Sequence, residues 1–366
     1  ENFVEYTSSG QEYHYKKGDT FQNKEDENEL NWTISDFKIK QLSEGCILAT
    51  YKVIKNDETN ESKKYTLRSG KWCFIKGHYV ENLNRGIKVM SKKIKLEVIE
   101  LLRKLKEKKP LVHSITNYVT VNDCANILLA IGASPIMADD IREAADITSI
   151  SSALVINIGT LNERTIESMI ASGKKANELN IPVVFDPVGA GASSFRNETT
   201  KRILDEVKIN VLRGNMSEIK FIAGLSSETK GVDASESDIK DGNEEGIMAA
   251  KALARKYGCI TAITGVTDIV SDGEKTTILK NGTKMLSKVT GTGCMTTALV
   301  GGFLGACECS GEYFTAAISG ILSMSICGEI AEEKASNIGI GSFHMAVMDA
   351  ISNLDDEIIL TRAKIK

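Results

Sequence analysis

Val183-Val184-Phe185-Asp186-Pro187-Val188-Gly189-Ala190-Gly191 reads as a short apolar strand that ends on a carboxylate and turns through glycines. So short an apolar run fits a strand buried on both faces, and its last residue falls at the sheet edge where open α/β folds bind ligands. Further strands are predicted at Leu111–Ile115, Pro135–Met137, Leu154–Ile158, Asn210–Leu212 and Ile260–Thr264. Helices are predicted near Asn122–Ala130, Ile141–Ser149, Glu163–Leu179, Thr199–Val207, Glu218–Ala223 and Glu244–Tyr257. This β-α-β-α order predicts an α/β fold in which a parallel sheet is covered by helices on both faces. From Cys294 to Ser352 nearly everything reads as helix, and the small-residue run that opens it permits close packing. Ser226–Glu245 is acidic and polar, and reads as an exposed loop.

The helical spacing of Ile94, Val98, Leu101, Leu102 and Leu105 starts at Lys92 and marks a domain boundary. The expected division is a small domain over 1–85, a junction over 86–91 and a large domain over 92–366. Met90 stands close enough to that helix to serve as an independent initiation point, and the chain opens on Glu1 rather than Met. The first segment holds both tryptophans, Trp32 and Trp72, and alternates at period two through Trp32–Ile39 and Ile47–Val53. With later strands at Tyr65–Leu67 and Trp72–Phe74, it reads as a curved antiparallel sheet. Turns are expected at Ser43–Gly45, Asn56–Asn60 and Ser69–Gly70.

The 366 residues are 42% hydrophobic and 26% charged with a formal charge of −4, so the basic excess needed to bind a nucleic-acid backbone is missing. Eight cysteines fall mostly in apolar stretches, and the single close pair, Cys307 and Cys309, has no second pair or histidine to complete a zinc set. That usage fits a reducing cytoplasm. No apolar run is read as reaching the ~18 residues of a spanning helix, and no membrane is expected.

Neither a Walker A loop nor G-x-G-x-x-G is present, so a phosphate must be held another way. Val289-Thr290-Gly291-Thr292-Gly293-Cys294 precedes a long helix, and its backbone N–H groups can converge as an anion hole over Gly291, Thr292, Gly293 and Cys294. Such donors stabilise the charge of phosphoryl transfer without a dedicated lysine. At the helix start the Cys294 thiol is expected to have a lowered pKa and to accept a proton. Asp186, and Glu218 in Asn215-Met216-Ser217-Glu218, suit Mg2+, which takes oxygen ligands. Each has a plainer reading, Asp186 as a turn former before Pro187 and Glu218 as a helix-start acid. Arg213, read as following its strand, can meet a nucleotide phosphate, or simply form a salt bridge. Thr264 offers a hydroxyl at the same edge. His113–Val119 and Gly132–Ala138 read as loops able to clamp a small aromatic, with Met137 suited to an apolar ring.

Taken in order, Ile115-Thr116-Asn117-Tyr118-Val119, Gly132–Asp139, Asp186–Gly191, Arg213–Glu218, Thr264-Gly265 and Gly291–Cys294 resemble the hydroxyethylthiazole kinase family of the ribokinase-like superfamily, over about residues 95–355. The resemblance implies ATP-dependent, Mg2+-dependent phosphorylation of the hydroxyl of 4-methyl-5-(2-hydroxyethyl)thiazole in thiamine salvage. It also implies that Asn117, Val119, Met137 and Gly291 meet the thiazole, Arg213 and Thr264 meet ATP, Asp186 and Glu218 organise Mg2+, and Cys294 stands at the place of the catalytic base. The family assembles as a homotrimer with sites at subunit interfaces. Residues 1–85 resemble a partial NTF2-like, or polyketide-cyclase-like, α+β domain. The competing readings are a ribokinase-like kinase for another alcohol, such as a pyrimidine or pyridoxal, and a non-catalytic ligand-sensing fusion.

Overall fold

The computed structural model describes residues 3–6, 12–15, 32–43, 46–55, 60–68, 71–74, 79–225 and 243–366. Of the turns expected at Ser43–Gly45, Asn56–Asn60 and Ser69–Gly70, residues 44–45, 56–59 and 69–70 lie outside the described residues, as do 226–242 of the loop expected over Ser226–Glu245, whose last three residues are helical instead. The chain divides into two compact units, Glu1–Ser91 and Lys92–Lys366.

In the first unit, strands β1 (Phe3–Tyr6), β2 (Glu12–Tyr15), β3 (Trp32–Ser43), β4 (Cys46–Lys55), β5 (Asn60–Arg68) and β6 (Lys71–Phe74) form one sheet in the order β2-β1-β6-β5-β4-β3. Neighbours pair antiparallel except β1 with β6, which are parallel. The β3–β4 register shifts twice, between Ser35 and Lys38 and between Gln41 and Ser43. Such irregularities bend a strand.

Helix α1 (Tyr79–Lys108) begins well before the predicted Lys92 and includes residues 86–91. In the second unit follow β7 (Leu111–Ile115), α2 (Val121–Ile131), β8 (Ser134–Ile136), α3 (Ala144–Ser149), β9 (Ala153–Asn157), α4 (Glu163–Glu178), β10 (Val183–Asp186), α5 (Ser194–Glu206), β11 (Val211–Asn215), α6 (Met216–Ile222) and α7 (Asn243–Tyr257). Then come β12 (Ile260–Thr264), β13 (Asp268–Ser271), β14 (Thr276–Leu279), α8 (Thr292–Ala306), α9 (Tyr313–Ala335), α10 (Ile340–Ser352) and α11 (Asp356–Arg362).

The sheet order is β14-β13-β12-β11-β10-β9-β7-β8. The expectation of a parallel sheet holds from β12 through β8, but β13 and β14 add an antiparallel edge. Only three residues separate β12 from β13, which permits a hairpin and no crossover.

Alternation along the strands divides the core. Val155, Val184, Val211 and Ala262 face the layer built from α1, α2, α8, α9 and α10. Leu154, Ile156, Val183, Phe185, Leu212 and Ile263 face the layer of α4, α5, α6 and α7. Helix α8 lies flat on the first face because Gly301 permits it: a Cβ there would collide with a methyl of Val155. The apolar run through α9 corrects the expectation that no such segment is long enough to span a membrane. Among the described residues, Ser310–Ala335 passes by length and composition, but its most apolar stretch is 78% buried within the protein. It packs between α8 and α10 as a core helix.

Candidate active site

Continuing the alternation by two residues from each apolar residue facing α8 places Asn157, Asp186, Arg213 and Thr264 at the C-terminal ends of β9, β10, β11 and β12, all on that face. Register sets Asp186 opposite Asn157 and Arg213 opposite Ala262, two residues before Thr264 on the same face. Four adjacent strands thus deliver an amide, a carboxylate, a guanidinium and a hydroxyl to one place beneath the start of α8. Arg213 lies within β11 rather than after it, as the sequence suggested, because Gly214 and Asn215 continue the ladder with β12.

Asp186 is buried. Its Oδ2 accepts from Thr297 Oγ1 of α8 at 2.7 Å and from Asn157 Nδ2 at 3.0 Å, with Arg213 Nη1 at 3.4 Å. Its Oδ1 is buried without a hydrogen-bond partner. Burial pushes the Asp186 pKa up, against the opposing pull of Arg213. Arg213 also donates from Nη2 to Thr264 Oγ1, while its Nε is buried without a partner.

Glu218 takes the plainer of its two expected readings, the helix-start acid. It closes a capping box at the start of α6, where Asn215 Oδ1 accepts from Glu218 N at 2.9 Å and Glu218 Oε2 accepts from Asn215 N at 2.7 Å. Its other oxygen accepts from Gly189 N at 2.7 Å, which ties it to the turn after Asp186. Burial, then the charge of Asp186, pushes its pKa up to about 7. Two buried carboxylates, one of them raising the pKa of the other and bearing an orphaned oxygen, could hold a divalent cation between them. Among the described residues no three His, Cys, Asp or Glu side chains form a complete cage.

Helix α8 starts at Thr292 with Gly291 as its N-cap at φ +85°, a left-handed conformation that favours glycine. A Cβ on Gly291 would collide with Thr120. No side chain caps this end, so its first-turn N–H groups suit an oxyanion. Cys294, in that turn, accepts from Asn117 Nδ2 at 3.2 Å and Asn157 Nδ2 at 3.3 Å. Both amides have a settled orientation. Gly159 N donates to Asn157 Oδ1 at 2.9 Å and Thr120 N to Asn117 Oδ1 at 3.1 Å, so the two NH2 groups must face the sulfur. The expected lowering of the thiol pKa is overturned: burial and the nearby Asp186 charge push it up, outweighing the amide donors.

The pocket loops are placed less uniformly. Asn117 is buried within this network, Val119 is 57% exposed, and Met137 is half-buried against the α8-side core. His113 steadies the Met137 loop by donating from Nε2 to Ala138 O at 2.6 Å, with Nδ1 2.8 Å from Thr148 Oγ1. Burial lowers its pKa, which keeps the ring neutral.

Sequence reasoning missed Asn157, Thr297 and Asp268. The first was within reach of the signal that located Asp186, a polar residue toward the end of a short apolar strand. Asp268 accepts from Gly265 N at 3.0 Å and Ser325 Oγ at 3.1 Å, and so fixes the turn beside Thr264; burial pushes its pKa up to about 7.

A family model described as the hydroxyethylthiazole kinase family matches residues 102–357. The hydroxyethylthiazole kinase of Clostridium beijerinckii is 73% identical over 277 residues, 76% of this chain and 99% of that protein. That of Ruminiclostridium cellulolyticum is 64% identical over 269 residues, covering 74% and 97%. The solved hydroxyethylthiazole kinase structure from Pyrococcus horikoshii is 39% identical, with a TM-score of 0.66 over 74% of this chain and 98% of that one.

Proposed function

The chain belongs to the hydroxyethylthiazole kinase family, and from that premise we propose how it transfers the γ-phosphoryl group of ATP to the hydroxyl of 4-methyl-5-(2-hydroxyethyl)thiazole. The observation that carries the reading is the delivery of Asn157, Asp186, Arg213 and Thr264 by four adjacent strands to the N-terminus of α8. Asp186 and Glu218 would hold Mg2+, and the Asp186 Oδ1, buried without a hydrogen-bond partner, supports that reading. When bound, the ion neutralises phosphate charge and orients the transferring group. Arg213 and Thr264 bind ATP phosphates. The free amides of Thr292, Gly293 and Cys294 form the anion hole that stabilises charge on the equatorial oxygens.

Asn117, Val119, Met137 and Gly291 meet the thiazole and aim its hydroxyl at the γ-phosphorus. The hydroxyl oxygen bonds to phosphorus as the bond to the β,γ-bridging oxygen breaks and ADP leaves, and its proton passes late to an oxygen of the transferred phosphoryl group. Cys294, pinned by two amides and held in the thiol form, positions that oxygen. Strong basicity is not required of it.

The exposure of Val119 and of Tyr118, at 77%, supports a homotrimer in which a second copy covers the thiazole pocket. Residues 1–85 are read as a partial NTF2-like domain without a catalytic part, and 92–366 as the kinase domain of a cytoplasmic enzyme. Tryptophan fluorescence reports the first segment by itself, since Trp32 and Trp72 both lie there; an unfolding transition distinct from that of the kinase activity is expected, and coincident loss of both would refute independent folding. Substrate choice is tested by ADP release against a panel of heterocyclic alcohols. A kcat/KM for the thiazole well above those for pyrimidine and pyridoxal alcohols is expected; equal or better use of another alcohol would overturn the substrate assignment.

A further inference from the structure

Arg196 lies in the first turn of α5, outside the cluster just described, yet its guanidinium reaches across two loops that carry that cluster. Nη1 donates to Ile158 O at 2.7 Å and Val188 O at 2.6 Å, and Nη2 donates to Gly159 O at 2.8 Å. Its partners are therefore three backbone carbonyls, two from the loop after β9 and one from the loop after β10.

Each of those carbonyls adjoins a working group. Ile158 follows Asn157, whose amide donates to both Asp186 and Cys294. Gly159 supplies the N–H that fixes the orientation of that amide. Val188 precedes Gly189, whose N–H holds Glu218. One long backbone hydrogen bond, Ile158 N to Asp186 O at 3.3 Å, also ties the loop after β9 to the last residue of β10.

A planar guanidinium spanning three carbonyls fixes their mutual distance more tightly than a flexible ammonium can. We propose that Arg196 is a positioning residue that sets the spacing of the β9 and β10 loops, and through them the relative placement of Asn157, Asp186 and Glu218 for cation and phosphate binding. This rests on the reading of Asp186 and Glu218 as the Mg2+ site.

The test uses the full chain with Arg196→Met, which keeps the aliphatic stem and removes the donors, and Arg196→Lys, which keeps a charge and some donors. Mn2+ binding to the enzyme–ADP complex, followed by electron paramagnetic resonance, gives a readout independent of turnover. Arg196→Met is expected to weaken Mn2+ about tenfold and lower kcat by a similar factor, with Arg196→Lys recovering part of both. The KM for thiazole is expected to stay within about twofold. Unchanged Mn2+ affinity and kcat in folded Arg196→Met would overturn the proposal, as would a loss of thermal stability alone. Should Arg196→Met not fold, full-strength Mn2+ binding and kcat in Arg196→Lys would overturn it too, because lysine cannot span three carbonyls. Asp186→Asn is the control: if it leaves Mn2+ affinity intact, the metal-site reading has failed and the proposal falls with it, whereas weak binding there with normal binding in Arg196→Met refutes Arg196 alone.

Discussion

Replacing Gly293 by alanine sets fold stability against catalysis. The residue lies in the first turn of α8, where alanine in place of glycine stabilises by roughly 0.4–1 kcal/mol by restricting the unfolded chain. The added Cβ would stand 3.0 Å from Arg213 Nη1 and 3.4 Å from Nη2. That is about 0.5 Å short of an ordinary van der Waals separation, so the guanidinium must retreat by about that much. It is tethered to Asp186 Oδ2 at 3.4 Å and to Thr264, and a retreat loosens the group assigned to the ATP phosphates. Weakening one charge-assisted hydrogen bond by ~1.4 kcal/mol corresponds to a tenfold fall in kcat/KM for ATP. Gly293→Ala is therefore expected to unfold at the same temperature as the parent or up to ~2 °C higher, while its kcat/KM for ATP drops about tenfold. Thermal unfolding without nucleotide and initial rates over a range of ATP concentrations measure the two effects separately. An unchanged kcat/KM would refute the placement of Arg213, and a destabilised but fully active enzyme would refute the packing argument.

Other substitutions separate positioning from proton transfer. Asp186→Ala and Glu218→Ala are each expected to cost about 10²-fold or more in kcat, because charge stabilisation is lost at the phosphoryl group. Cys294→Ala should retain measurable turnover, with a loss below the ~10²-fold typical of a true general base; normal thiazole binding with no turnover would reverse that ordering. Asn157→Ala removes the amide shared by Asp186 and Cys294, and a 10- to 100-fold loss in steady-state rates is expected. Asp268 gives a pH signature. Its folded pKa of about 7 lies above that of an exposed aspartate, so the folded chain holds a proton that the unfolded chain has released, and its contribution to stability falls as pH rises from roughly 4 to 7. Asp268→Asn can keep both the Gly265 and Ser325 contacts, and it should flatten that part of the dependence when urea midpoints are compared at pH 5 and pH 8; an unaltered slope would exclude the assignment.

Much of the fold was legible because buried parallel strands are short apolar runs with clear ends. Leu111–Ile115, Val183–Asp186 and Ile260–Thr264 match their predicted limits. The β13–β14 edge was not, since Asp268, Ser271, Thr276 and Thr277 make those strands look like polar connections until the hairpin is seen. The family was readable from its ordered motifs, and Asp186, Glu218, Arg213, Thr264, Asn117 and Cys294 do fall in one linked region. Their electrostatics were less accessible. The helix-dipole argument for a low Cys294 pKa omitted burial and a carboxylate over a hundred positions earlier in the chain. Thr297 and Arg196 act through contacts at sequence separations that no local pattern encodes.

Phosphorus NMR of a reaction containing ATP, Mg2+ and 4-methyl-5-(2-hydroxyethyl)thiazole tests the assignment of chemistry and site together. A new phosphomonoester resonance coupled to the methylene protons of the side chain is expected with the parent enzyme, and none with folded Asp186→Asn/Glu218→Gln. ATP cleavage to inorganic phosphate without the ester, or undiminished ester formation by the double variant, would contradict it.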